Sequence, residues 1–218
     1  MGSIRGSLEK LPGDYLKEAS LLKFEGIEGK DIYNPSKPFK YKNSLNIAAR
    51  VEPREDECKS EIVFFKKRED CWYKNEDLAS LPNSQDPFVA RIGDELIIGA
   101  VEISCSGSKI NYKTVFLDKN LEKIAEVEGM KCVRITELPG SEIYCIVFEF
   151  DYETREASEP KVAVSRDAFQ KTEAKRKELR NVVYPGGFEV KEEVMEIFLG
   201  ISDAYAGKAV IKNPFKQY

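Results

Sequence analysis

Asp86 is the residue whose type and position most suggest chemistry, because it directly precedes Pro87 at the start of an alternating, strand-like run. A proline disfavours the helical region for the residue before it, and as the first residue of a strand it costs no ladder hydrogen bond. We therefore expect Asp86 to be extended at the mouth of a strand, where a carboxylate can give and take a proton. The alternative is a structural turn residue, since acids often occupy such positions in ordinary β proteins.

The sequence contains no histidine, which excludes Ser-His-Asp catalysis, Cys-His catalysis and every histidine-ligated metal site. Its cysteines form no CxxC pair and are odd in number, so the sequence predicts neither a disulfide framework nor a zinc knuckle. We expect buried free thiols in a reducing compartment. The five cysteines are Cys58, Cys71, Cys105, Cys132 and Cys145.

Composition indicates one soluble globular domain. The chain has 218 residues, 42% of them hydrophobic, and a net charge of -4 that argues against a nucleic-acid surface. The sequence has no apolar run long enough for a signal peptide or a membrane span. We therefore expect a cytoplasmic protein with no nucleic-acid or membrane partner.

Alternating apolar and polar residues predict a chain of β-strands that has no helical crossovers. Residues 1–29 are expected to be an irregular lead-in with at most one helical turn and a short strand, and residues 30–218 a single β domain. The basic segment 166–180 is expected to be a solvated loop or surface helix, or else a phosphate-binding element. Strands are predicted at residues 45–52, 61–67, 87–92, 96–103, 109–117, 132–138, 142–150, 161–165, 182–184, 195–203 and 208–211.

These strands are spaced as antiparallel units of about forty residues, which is typical of propeller blades. The inner strand of each blade would direct its first residues toward a central funnel. In that geometry five charged residues that are distant in sequence converge: Arg50, Asp86, Lys131, Arg134 and Asp203.

Six motifs, in order from about residue 30, resemble those of the mannosyltransferase/phosphorylase family, which was long described only as a domain of unknown function. This family is similar to the mannoside phosphorylases among the glycoside hydrolases. The first three motifs together are specific. The six are DIYN at 31–34, ARVEPR at 49–54, QDPF at 85–88, GMKCVR at 129–134, DYETREA at 151–157 and GISDA at 200–204.

The resemblance implies an all-β, five-bladed propeller of the glycosyl hydrolase type, without a metal or other cofactor. It also implies inverting β-1,2-mannosyl transfer. The expected partners are mannose oligosaccharide, GDP-mannose or mannose 1-phosphate, and inorganic phosphate. A homo-oligomer is a further expectation.

By the family pattern Asp86 matches the single catalytic aspartate, and Asp203 matches an aspartate that lines the sugar site. The matched motifs also imply substrate-binding roles for Asn34, Arg50, Glu52 and Gln85. Phosphate calls for fixed cations, for which the guanidinium fork is suited. The phosphate-binding candidates are Arg54, Lys131 and Arg134, with Arg50 as a further cation that could contribute.

This chain departs from the family pattern at three places. A segment with an Asn-Glu-Val-His motif is missing between the fourth and fifth motifs, so we expect fewer complete blades than five. Cys132 stands where the family has an aspartate, and Gly207 stands where it has a histidine. The alternative function is therefore a catalytically silent, shortened propeller that binds carbohydrate or a protein.

Overall fold

The computed structural model describes residues 15–92, 94–106, 109–128, 142–144, 149–151, 163–180 and 182–213. Within these ranges the protein is all β, as predicted, with three 3₁₀ turns at Glu57–Lys59, Arg166–Ala168 and Lys177–Leu179. The strands are β1 (Leu16–Leu21), β2 (Lys23–Glu25), β3 (Asp31–Tyr33), β4 (Phe39–Tyr41), β5 (Ser44–Glu52), β6 (Glu61–Arg68), β7 (Cys71–Lys74), β8 (Leu81–Pro82), β9 (Ser84–Ile92), β10 (Glu95–Ser106), β11 (Lys109–Leu117), β12 (Lys123–Glu128), β13 (Glu142–Tyr144), β14 (Glu149–Asp151), β15 (Val183–Val190), β16 (Val194–Ile201) and β17 (Tyr205–Lys212).

The largest sheet has the strand order β2-β7-β6-β5-β3, with β4 also paired to β5 and β8 to β6. Its strand β5 is buried on both faces, because Ala48 joins one core cluster while Ile47 and Ala49 join another. Side chains alternate along a strand, so the face that carries Ala48 also carries Arg50 and Glu52 at the end of β5. Two charged side chains therefore lie on one face of this sheet, at the end of β5.

Two four-stranded antiparallel sheets pack with the largest sheet. One has the order β12-β11-β10-β9, and the other, here called the closing sheet, has the order β1-β17-β16-β15. Phe64 of β6 and Ile98 of β10 share a core cluster, which joins the largest sheet to the first of these. Phe169, from the segment between β14 and β15, is buried against Ile197 and Leu199 of the closing sheet.

The stretch expected to be an irregular lead-in holds two strands. Strand β1 pairs antiparallel with β17, and β2 pairs in parallel with β7. This is more strand than the sequence predicted. Both strands are short and partly exposed, so they lack the strong alternation that marks a strand with one buried face.

Two other strand predictions were wrong in detail. Residues 142–150 were expected to form one strand, but β13 and β14 pair antiparallel, with Glu142 opposite Asp151. A continuous apolar run gives no sign of a reversal within it. Residues 163–165 were expected to be strand and are not. The strand predicted at 132–138 lies outside the described residues, and the number of blades stays a prediction.

Cys58 and Cys105 form a disulfide, with their Cα atoms 6.2 Å apart. The expectation of free thiols was wrong for this pair, because the sulfurs meet only through tertiary structure and their spacing in sequence carries no signature. Cys71 is a free, half-buried thiol, whereas Cys132 and Cys145 lie outside the described residues. Disulfides are rare in the cytosol, and the cytoplasmic location stays a prediction. No helix in the described part of the chain is long and apolar enough to cross a membrane.

Candidate active site

Asp86 lies in β9 with a left-handed backbone, φ 49°, rather than the extended conformation that we predicted. The ladder to β10 is irregular at this point, since Phe88 pairs with Gly99 and Gln85 with Val101. Pro87 disfavours the right-handed helical region for Asp86, and aspartate is one of the few residues that tolerate the left-handed region. The resulting bulge redirects the carboxylate out of the regular alternation of the strand.

The Asp86 carboxylate is held through one of its oxygens. Asn34 donates from Nδ2 to Asp86 Oδ1 over 2.8 Å, and Arg50 Nη1 lies 3.5 Å from the same oxygen. The described residues make no hydrogen bond to Oδ2. Asp86 is 7% exposed, so the site is nearly closed around it. The carboxylate is therefore oriented while one oxygen is left for chemistry.

Glu52 is the centre of a buried network. It is fully buried and accepts from Tyr33 Oη over 2.5 Å and from Arg50 Nε over 2.8 Å. Ser60 Oγ and Lys175 Nζ donate to it as well. A buried carboxylate is tolerated only with such partners, since an unpaired charge in the interior is very costly. Glu52 was predicted to bind substrate, and the structure places it beneath the site as the group that organises Arg50.

Tyr33 and Arg50 pack together. The guanidinium of Arg50 lies over the Tyr33 ring, 5.0 Å from its centroid. Burial raises the pKa of Tyr33 far above its ordinary value, although Arg50 opposes this shift. Tyr33 therefore stays a neutral donor to Glu52 at every working pH, and the Arg50 fork is fixed between Glu52 and Asp86.

Gln85 is hydrogen-bonded to Ser60, which in turn donates to Glu52. Its Nε2 donates to Ser60 Oγ over 3.2 Å and to the Glu57 carbonyl over 3.3 Å, and it is 1% exposed. Its Oε1 and the Oδ1 of Asn34 are buried acceptors without a hydrogen-bond partner in the described part of the chain. Such unsatisfied groups are rare in native proteins, and a functional role is one explanation for them. The structure places Asn34 and Arg50 against Asp86, and the substrate-binding roles of Asn34, Arg50 and Gln85 stay predictions.

Asp203 lies in the turn between β16 and β17, where it and Ser202 both have a positive φ, of 51° and 52°. Its pKa is raised above the ordinary value, chiefly by burial, although Arg50 and Lys175 oppose this. Asp86 adds to the shift. Asp203 is therefore within electrostatic range of Arg50 and Asp86, and its role in lining the sugar site stays a prediction.

Lys175 is a site residue that the sequence analysis missed. Its side chain is 4% exposed and its Nζ contacts Glu52, with Tyr33 Oη at 3.3 Å. Its backbone N–H donates to the carbonyl of Ser202 over 3.1 Å. Segment 166–180, expected to be solvated or to bind phosphate, thus places one lysine in the interior. Nothing in the sequence distinguishes Lys175 from the other cations of that segment.

The predicted phosphate-binding residues give a mixed result. Arg54 is bound to Asp31, with Nε 3.0 Å from Oδ2 and Nη2 2.9 Å from Oδ1, and the hydrogen bonds to Asp31 raise its pKa further. Its fork is therefore occupied. Lys131 and Arg134 lie outside the described residues. Arg176 is more exposed and lies 3.9 Å from Glu57 at the rim of the site.

Two further observations bear on ligands. Among the described residues, no group of three or more acidic or cysteine side chains could hold a metal ion. Gly207, where the family pattern has a histidine, faces Phe169, and a Cβ at this position would lie 2.9 Å from the Phe169 ring. A side chain at position 207 would require Phe169 to move.

The family profile described as "Protein of unknown function (DUF1861)" matches residues 12–144 and 139–217. The chain belongs to this family. The membership confirms the family recognised from the six motifs. The two matches meet at residues 139–144, within the region where the sequence analysis places a missing segment. No curated protein matches the chain.

Three solved structures share the fold. MPT-1, a GDP-Man-dependent mannosyltransferase from Leishmania mexicana, is 19% identical with a TM-score of 0.81, over 93% of this chain and 91% of that one. MPT-4, a mannose phosphorylase from the same organism in complex with a phosphate ion, is 19% identical with a TM-score of 0.81, over 92% and 89%. A hypothetical protein from Leishmania major is 20% identical with a TM-score of 0.79, over 92% and 91%. At these identities the likeness establishes the fold, and function must be argued from the site.

Proposed function

We propose that the protein transfers mannose to or from phosphate or a nucleotide diphosphate, with Asp86 as its catalytic acid. The observation that carries this proposal is the Asp86 carboxylate, which Asn34 and Arg50 hold through Oδ1 while Oδ2 has no hydrogen bond from the described residues. The fold shared with a GDP-Man-dependent mannosyltransferase and a mannose phosphorylase supports the same substrate class.

The reaction needs one acid and no base. In phosphorolysis an oxygen of inorganic phosphate attacks the anomeric carbon, and the glycosidic C–O bond breaks with its electron pair going to the leaving oxygen. Asp86 gives that oxygen a proton, directly or through a sugar hydroxyl, and recovers one in synthesis. Inverting glycosidases need a second carboxylate to activate water, but phosphate is already an anion. One aspartate is therefore sufficient.

The phosphate would be held by cations at the rim. Arg50 has its Nη1 directed at Asp86, and Arg176 is the more exposed cation beside Glu57. Guanidinium forks suit phosphate oxygens. Lys131 and Arg134 remain predicted members of the same site. Asp203 would contact the sugar, as its place in the GISDA motif implies.

The finer features are proposed on the family resemblance. They are β-1,2 linkage, inversion at the anomeric carbon, and a choice between GDP-mannose and mannose 1-phosphate as donor. A propeller with fewer complete blades than five is proposed because this chain lacks one segment of the family pattern. The fold shared with the three Leishmania proteins supports a common architecture.

One observation favours the second candidate, a silent module that binds carbohydrate or a protein. Position 207 carries no side chain, and Phe169 fills the adjacent space. If the histidine of the family pattern is needed for turnover, this chain would keep a sugar-binding site that lacks activity.

Incubation of the purified protein with mannose and either mannose 1-phosphate or GDP-mannose tests the proposal. Oligomannose detected by chromatography, with release of phosphate or GDP in equal amount, is the expected result. β-1,2-mannobiose with inorganic phosphate tests the reverse direction and the linkage. No turnover with any of these, combined with calorimetric binding of mannobiose, would favour the silent module.

A further inference from the structure

Segment 166–180 is anchored to the closing sheet and contributes a side chain to the site. Arg166 donates from Nε to Ser202 Oγ over 3.0 Å, and Phe169 is buried in the core of the closing sheet. Lys175 follows these anchors in sequence, and its backbone N–H donates to the carbonyl of Ser202. These contacts fix the backbone of Lys175, and its side chain extends into the interior to Glu52.

Four charged groups alternate from this lysine to the proposed acid. Lys175 Nζ contacts Glu52 Oε1, and Arg50 Nη2 lies 2.7 Å from Glu52 Oε2. Arg50 Nη1 then lies 3.5 Å from Asp86. We infer that Lys175 is a positioning residue for the transfer reaction, which acts through Glu52 to hold Arg50 against Asp86.

The charge balance explains why the lysine is needed. With Lys175 present, two cations neutralise the two carboxylates of this chain of contacts. Without Lys175, the fully buried Glu52 has Arg50 as the remaining cation among these four groups. Glu52 then competes more strongly with Asp86 for the Arg50 guanidinium. In a low-dielectric interior such a change reorients the partners, since buried networks depend on every member.

The lysine is assigned a positioning role because its side chain is 4% exposed and its Nζ is engaged by Glu52 and Tyr33. It is faced by Glu52 and Arg50 of β5, Tyr33 of β3, and Asp203 of the turn after β16. Arg176 of its own segment and Asp31 also affect its pKa, the first lowering it and the second raising it. Burial, reinforced by Arg50, lowers the pKa of Lys175 to about 8, and Asp203 opposes the shift. Lys175 therefore carries its charge at neutral pH and loses it in mildly alkaline solution.

This inference rests on the proposed function, and kinetics separate the two. We expect Lys175→Met to lower kcat for mannobiose phosphorolysis by roughly tenfold or more with little change in KM, because the loss is in alignment rather than in substrate contact. Lys175→Arg, which keeps the charge at all working pH values, should restore most of kcat. Wild-type kcat should fall as pH rises above the pKa of Lys175, which is about 8, because the lysine then loses its charge. The Lys175→Arg variant should not show this fall. The matched control is Lys171→Met, which changes an exposed lysine of the same segment and should have no effect.

Three outcomes would contradict the inference. Wild-type turnover that Lys175→Met leaves unchanged overturns the inference alone. If Lys175→Met fails to fold by circular dichroism, Lys175→Arg decides, and an alkaline fall in kcat that is unchanged from wild type overturns the inference. A wild-type protein without turnover on any mannosyl donor overturns the proposed function and the inference with it.

Discussion

Asn34 and Asp86 meet through a 2.8 Å hydrogen bond although 52 residues separate them, and both have a left-handed backbone, with φ of 46° and 49°. One follows β3 of the largest sheet and the other lies in β9 of the next sheet. A non-glycine residue in this conformation costs about 1–3 kcal/mol and persists only where its surroundings enforce it. The two sheets are thus joined at the proposed catalytic group by two residues in an uncommon backbone conformation.

The Asp86→Asn variant should lose transfer activity by roughly a hundredfold or more, because asparagine keeps the size and one acceptor but has no proton to give. Asparagine tolerates φ of 49° as aspartate does, so the fold should be retained. Initial rates with mannose 1-phosphate, with thermal unfolding as the check on folding, measure this. Asp94→Asn, which changes an exposed acid, is the control. Turnover that survives in Asp86→Asn would sink the proposed mechanism.

The Gly200→Ala variant should lower activity by displacing Asn34. A Cβ at Gly200 would lie 1.8 Å from Asn34 Oδ1, so Asn34 must move and its bond to Asp86 is lost. We expect kcat to fall roughly ten- to a hundredfold, about as far as in Asn34→Ala, since each removes one hydrogen bond to a charged group worth about 1.5–3 kcal/mol.

A double-mutant comparison makes this test specific. In the Asn34→Ala background the amide that Gly200→Ala would displace is already gone. The two losses in kcat should therefore not add. Additive losses would mean that Gly200→Ala acts by a route other than Asn34.

The Asp203→Asn variant should be more stable than wild type at neutral pH. Burial raises the pKa of Asp203 above the ordinary value of 3.8, so the folded protein holds this proton more tightly than the unfolded chain does. The free energy of unfolding then falls as pH rises from 3.8 through the higher folded-state pKa, so the ionised Asp203 is a net cost to stability. The thermal midpoint of the variant should exceed that of wild type at pH 7, and the gap should close below pH 3.8. Asp70→Asn, at an exposed turn, is the control, and a lower midpoint for Asp203→Asn at pH 7 would contradict this prediction.

Loss of the Cys58–Cys105 disulfide should destabilise the protein. The bridge closes a sequence separation of 47 residues, for which chain entropy gives about 4 kcal/mol. Urea unfolding of Cys105→Ser, compared with wild type under oxidising and reducing conditions, measures the change. Cys71→Ser is the control, because Cys71 is free. Equal midpoints for wild type with and without reductant would show that the bridge does not form in solution.

The same bridge adjoins the site. Cys58 follows Glu57, whose carbonyl accepts from Gln85, and precedes the stretch that holds Ser60 against Glu52. Cys105→Ser should therefore also lower kcat. Activity that is unchanged at a temperature where the variant is folded would confine the bridge to a stability role.

The sequence predicted the long strands well, because β5, β6, β10 and β11 carry clear alternation or long apolar runs. It also placed Arg50 and Asp86 in one site, since the motifs that contain them fall at strand ends. The backbone of Asp86 was missed because a proline at position 87 limits the preceding residue without choosing between extended and left-handed conformations. That choice depends on the bulge opposite Gly99 and Val101.

Lys175 and the disulfide could not be predicted for a common reason. Each is defined by a partner far along the chain, Glu52 for Lys175 and Cys105 for Cys58. Local patterns record the strand that a residue belongs to, but not which loop crosses above it. The burial of one cation within a basic segment is decided by the anchors on either side, Arg166 on Ser202 and Phe169 in the core.

The pairing of β1 with β17 also has a consequence for biosynthesis. Residues 16–21 leave the ribosome early, yet the strand that they join is made of residues 205–212. The sheets of β5 and β10 can assemble during translation, whereas the closing sheet must wait for its last strand. Until then β1 is an unpaired edge exposed to other nascent chains. We expect the nascent protein to depend on chaperones chiefly at this stage, and a circular permutant that begins before β15 and joins β17 directly to β1 to reduce that dependence.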